Sequence, residues 1–91
     1  RRRKAEYLRS SGMRIEAVIR SISINSHITV NSRHPWRIYA EWQNPSGGEY
    51  YTFKSDNLWE DPSRYFKIGD SITVYIDRSN PKRYSMDLTT K

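Results

Sequence analysis

The sequence predicts an all-β fold, a small barrel of five to six strands, on three observations. Residues 69–81 open on a glycine turn, and Ile72, Val74 and Ile76 then alternate with Ser71, Thr73, Tyr75 and Asp77, the period of a half-buried strand. Trp36, Ile38, Ala40 and Trp42 alternate with Arg37, Tyr39, Glu41 and Gln43, and a turn-rich stretch follows them. Between Met13 and Ile24 the apolar positions change phase, odd up to Ile19 and even afterwards, as in one long strand with a bulge near Arg20-Ser21.

Taken in order, residues 1–11 place Ala5, Tyr7 and Leu8 among charges and read as a linker ended by Gly12. The long bent strand follows. A small closed barrel uses such a strand to serve both halves of its sheet. Asn25-Ser26 is a turn, Ile28-Thr29-Val30 a short strand or continuation, and His34-Pro35 the next loop. Asn44-Pro45-Ser46-Gly47-Gly48 is the connection of a hairpin whose return strand is Glu49 to Lys54. The alternation then breaks. Leu58, Trp59, Tyr65 and Phe66, set among Asp56, Asn57, Asp61 and Pro62, predict one or two short helical turns that plug an open end of the barrel. After Gly69 to Asp77, Asp77, Ser79, Asn80 and Pro81 form a turn, and Lys82 to Leu88 is the last strand. A bent first strand, a hairpin, a helical plug between the third and fourth strands and two more strands make the order of an OB-like barrel; an SH3-like barrel is the nearest competitor.

Ninety-one residues with 35% hydrophobic composition make one domain, assigned to 12–91, with a modest core. Three Trp, seven Tyr and two Phe predict that rings supply much of that core, Trp36, Trp42 and Trp59 included. No run approaches the roughly 20 apolar residues of a membrane helix, so the sequence reads as a soluble domain. The lack of cysteine excludes disulfides and thiolate chemistry. Net charge is +6, but residues 1–14 hold six Lys and Arg against Glu6, while the rest holds ten against nine carboxylates. The high pI therefore belongs to the N-terminal arm, and that weighs against a nucleic-acid role argued from pI alone. Arg1, Arg2, Arg3 and Lys4 form a candidate membrane-surface cluster of the kind found on the cytoplasmic side of a membrane helix, which here would lie upstream of residue 1.

Catalytic motifs are missing from the pattern. His27 and His34 lie in polar turns without ligand spacing, no serine sits in a nucleophile elbow, and Gly47-Gly48 leads into a strand and not a phosphate-binding helix. Asp56, Glu60 and Asp61 read as caps and turn formers near Trp59. The expectation is a protein with no enzyme activity, no catalytic residues, no metal and no cofactor. The candidate ligand-binding residues are Arg37, Tyr39, Tyr50 and Lys54, cations and rings interleaved on the outward face of the hairpin. Against a single-stranded nucleic acid there stand Glu41 and Glu49 on the same hairpin, and Tyr39 and Tyr50 read rather as a cross-strand pair that stabilises the hairpin.

Gly69-Asp70-x-Ile72-x-Val74-Tyr75-x-Asp77-x-x-Asn80-Pro81 resembles the signature of a bacterial membrane-associated domain family of unknown function, with Gly12 and the glycine-bearing hairpin in matching places. The resemblance covers most of residues 12–88 and is specific over 69–81; Arg78 stands where that family often has proline. It implies a soluble β domain beside one or two membrane helices, with no known ligand. The resulting expectation is a non-catalytic interaction domain on the cytoplasmic side of a membrane, contacting a protein or small ligand. The alternative is a single-stranded nucleic-acid-binding OB-type domain.

Overall fold

A computed structural model describes residues 4–88. Its strands are β1 (Met13–Ile24), β2 (Trp36–Gln43), β3 (Tyr50–Lys54), β4 (Ser71–Asp77) and β5 (Asn80–Met86), preceded by a helix, α1 (Lys4–Ser11). They form one antiparallel sheet in the order β3-β2-β1-β4-β5, curled into a half-barrel. β1 is the centre: its first half, Met13 to Val18, pairs with β4, and its second half, Val18 to Ile24, pairs with β2. The β1–β2 register slips between Ile19 and Ser21, so Arg20 is the extra residue of a bulge at the predicted place. The bulge explains the phase switch. Ile15, Ala17 and Ile19 are buried ahead of it, and Ile22 packs against the same core beyond it.

Ile38, Ala40, Phe53, Ile72, Val74 and Ile76 complete the buried face. Among the described residues, Phe53 is the one ring in that buried cluster, and the expected ring-dominated core is corrected to a mainly aliphatic one. Trp42 is half-buried and stacks on Tyr51 at 5.9 Å, Trp36 is half-buried at a strand end, and Trp59 is exposed. The cause is size. A concave surface lined by short β-branched side chains leaves indoles at its rim, where one edge stays wet.

One loop expectation changes and another narrows. Asn31 and Ser32 both take left-handed backbone (φ 51° and 62°), so the chain folds back and Val30 bridges Arg33; Ile28-Thr29-Val30 joins no strand of the sheet. In the plug segment Leu58 is drawn into a bridge with Trp36, leaving a single 3-10 turn at Pro62–Arg64. Asp61 caps that turn through Ser63, and its carboxyl is held below the ordinary range first by the Ser63 hydroxyl and then by its N–H. Leu58 and Phe66 pack on the core, whereas Tyr65 is exposed.

Residues 4–11, read from the sequence within a linker, are helical and attached to the sheet. Leu8 is fully buried, the Arg83 guanidinium lies 5.1 Å from the Tyr7 ring centroid, and Arg9 reaches Asp87 at 3.8 Å. One buried leucine anchors a segment whose charges alone conceal it. Gly12 makes the join: a Cβ there would lie 2.5 Å from Leu8 O and 2.6 Å from Ile76 O, so the helix end and β4 can approach only around glycine. Leu8→Ala is expected to cost about 2–4 kcal/mol in urea unfolding. A loose linker would show no loss.

The β4–β5 turn is held by Asp77. Its carboxylate accepts from Ser79 N–H (2.9 Å) and Ser79 Oγ (2.8 Å), with Arg83 at 3.6 Å. The Ser79 backbone bond, then its hydroxyl, hold the Asp77 pKa below the ordinary carboxylate value, against a smaller desolvation effect. A depressed carboxylate stabilises the fold above its unfolded pKa, and that contribution disappears as pH falls through the folded value. The Ser79 amide resonance is therefore expected to titrate with a midpoint below the ordinary Asp range, and Ser79→Ala to raise that midpoint. An unchanged midpoint would remove the Ser79 hydroxyl as a cause and leave the backbone N–H alone.

Candidate ligand-binding surface and the open seam

The hairpin register decides how the four candidate residues meet. Gln43 opposes Tyr50 across the connection, so Tyr39 opposes Lys54. Arg37 lies two positions further along β2. The structure therefore brings Arg37, Tyr39 and Lys54 together and leaves Tyr50 at the other end, four residues along the ladder or roughly 13 Å away. The cross-strand Tyr39–Tyr50 pair is corrected accordingly, because the closing pair Gln43–Tyr50 fixes every later pairing. Glu41 stands between the two tyrosines on the same face, opposite Thr52, and its carboxylate meets Arg20 at 3.4 Å. A carboxylate thus interrupts the aromatic–basic row.

Of the membrane-surface cluster, Arg1, Arg2 and Arg3 lie outside the described residues. Lys4 begins α1, with Nζ 5.9 Å from the Tyr84 ring centroid. Among the described residues no helix is long and apolar enough to cross a membrane, and no three His, Asp or Glu side chains converge as metal ligands. His27 and His34 are both exposed, and His34 Nδ1 lies 2.7 Å from Ile28 O.

A feature that sequence reasoning missed lies between the two sheet edges. β3 and β5 face each other without a shared ladder among the described residues. Tyr84 spans the gap: its hydroxyl accepts from Lys54 N–H at 3.0 Å and donates to Lys54 O at 3.4 Å, and its ring meets Phe53 edge-on at 4.7 Å. Ser55, buried next to it, accepts from Ile38 N–H and donates to Asp56 O, closing the end of the β2–β3 pair. Beside this seam opens a cavity of about 470 Å³ lined by Lys4, Arg37, Lys54, Asp56, Lys82 and Tyr84. Arg37, half-buried, has its Nε fully buried with no hydrogen-bond partner. These residues are distant in sequence, and no local pattern joins them.

Comparison with protein-family models, with curated proteins and with solved structures finds no match to this chain.

Tyr84→Phe is expected to cost about 1 kcal/mol and to speed hydrogen exchange at the Lys54 amide while leaving the β2–β3 ladder protected. Unchanged exchange at Lys54 would mean that the hydroxyl does not hold the seam.

Proposed function

We propose that this chain is a non-catalytic interaction domain of a bacterial membrane-associated protein, an OB-like barrel left open between β3 and β5. The observation that carries the reading is the sheet order. A bent first strand shared between the second and fourth, with the third and fifth strands left as edges, is the order expected of an OB barrel opened along one seam and supports that reading. The Pro62–Arg64 turn falls between β3 and β4, where such a barrel carries its helix, and the half-buried Phe66 packs on the core. The membrane assignment rests on the basic residues Arg1, Arg2, Arg3 and Lys4, which suit an anionic surface on the cytoplasmic side, and on the resemblance over residues 69–81. The role is contact with a protein or small ligand.

A second reading, binding of single-stranded nucleic acid, draws on the juxtaposition of Arg37, Tyr39 and Lys54. It is the weaker one, because Glu41 interrupts the row and Tyr50 stands apart. A chemical-shift titration with a single-stranded oligonucleotide at low and moderate salt separates them. Shifts limited to the α1 end and erased by salt are expected. Saturable shifts at Tyr39 and Tyr50 that persist at moderate salt would overturn the proposal in favour of nucleic-acid binding.

A further inference from the structure

Four cations and one carboxylate, Asp56, surround the seam cavity. None of the four, Lys4, Arg37, Lys54 or Lys82, takes part in the ion pairs found among the described residues, which use Arg9, Arg14, Arg20 and Arg83. Exposed lysines left unpaired are ordinary. A half-buried guanidinium whose Nε–H is sealed from solvent without an acceptor is not, because a buried polar group without a partner is costly. Arg37 lies on β2, an interior strand, opposite Ser23 of β1, so its backbone cannot shift to bring the side chain to water without breaking the β1–β2 ladder.

We infer that the seam cavity is an oxyanion site that takes a multiply charged phosphoryl group. The guanidinium offers a planar fork matched to two oxygens of one phosphoryl group, while lysines act as point charges that need no fixed geometry. Arg37 on β2 is therefore the positioning cation, with Lys54 of β3 and Lys82 of β5 on the two facing edges. Three more cations than carboxylates select a dianion or higher over a single carboxylate. A cavity of about 470 Å³ falls within the range of small-molecule sites, large enough for a phosphorylated small molecule or a lipid phosphate headgroup. The inference deepens the interaction-domain reading and rests on it: the ligand binds and leaves without reaction.

The test is a chemical-shift titration of the whole chain with inorganic pyrophosphate, ionic strength held constant with chloride. Saturable shifts are expected at Lys54, Ser55 and Tyr84. Arg37→Gln should weaken binding about tenfold or more, the scale of a lost charge-assisted pair, and Lys82→Gln, a change at an exposed residue that leaves folding intact, several-fold. A parallel arm measures sedimentation with phosphatidylcholine vesicles, with and without phosphatidic acid, whose phosphomonoester headgroup can carry two charges. Pyrophosphate binding weakened by both variants supports a soluble phosphoryl ligand; vesicle binding that requires phosphatidic acid and is weakened by both supports a headgroup. No saturable shift with pyrophosphate together with no vesicle sedimentation, or binding unaltered in both variants, overturns the site. Release of orthophosphate would instead overturn the non-catalytic reading while leaving the site intact. Shifts centred on Tyr50, at the far end of the hairpin from the seam, would overturn the site in favour of the nucleic-acid alternative.

Discussion

The bend in β1 is the constraint on which everything else depends. One strand of twelve residues serves two neighbours, β4 along its first half and β2 along its second. That is possible only because Arg20 is left out of the β2 ladder, which turns the strand and re-aims the following side chains. Were the register continuous, Ile22 would face away from Ile15, Ala17 and Ile19, and the curled sheet would lose one side of its core. The Arg20 side chain, expelled by the bulge, meets Glu41 on the neighbouring strand at 3.4 Å. The pair is exposed and contributes little energy, but it occupies the place where a row of exposed rings would otherwise run on.

Much of this was legible in the sequence, because alternation and its interruption are written in consecutive residues. The phase change around Arg20-Ser21 marks the bulge, and Trp36 to Gln43 and Ser71 to Asp77 are strands over those very residues. What was not legible depends on single residues or on distant ones. Leu8 is one apolar side chain in a charged segment, too little periodicity to announce a packed helix, yet its burial fixes α1 to the sheet. Three tryptophans look like core by composition, but the curvature of a sheet with small inward side chains decides how much of an indole fits beneath it. The pairing of Tyr39 with Lys54 depends on where the Asn44–Glu49 connection closes, and a shift of a residue or two there changes every partner.

The seam illustrates the same limit at the candidate site. Lys4, Arg37, Lys54 and Lys82 come from α1, β2, β3 and β5, and only the curl of the sheet makes them neighbours. The sequence identified Arg37 and Lys54 through a different argument, as part of an outward row with two tyrosines. The structure keeps those two together with Tyr39, leaves Tyr50 at the far end of the hairpin, and adds Lys4 and Lys82. Charge that looks balanced along residues 15–91 is therefore locally unbalanced in space.

The two bare margins of the sheet carry a consequence for self-association. A strand with free amides and carbonyls is a template on which another molecule can add, and chains with such edges polymerise unless something prevents it. Here one margin carries Pro81, which lacks an N–H, at its second position and continues through Lys82 and Arg83. The other ends at Lys54, whose backbone is already engaged by Tyr84. Two molecules meeting margin to margin would bring these cations face to face. The half-barrel thus stays open without inviting a copy of itself to complete it, and charge and proline do the work that closure does in a complete barrel.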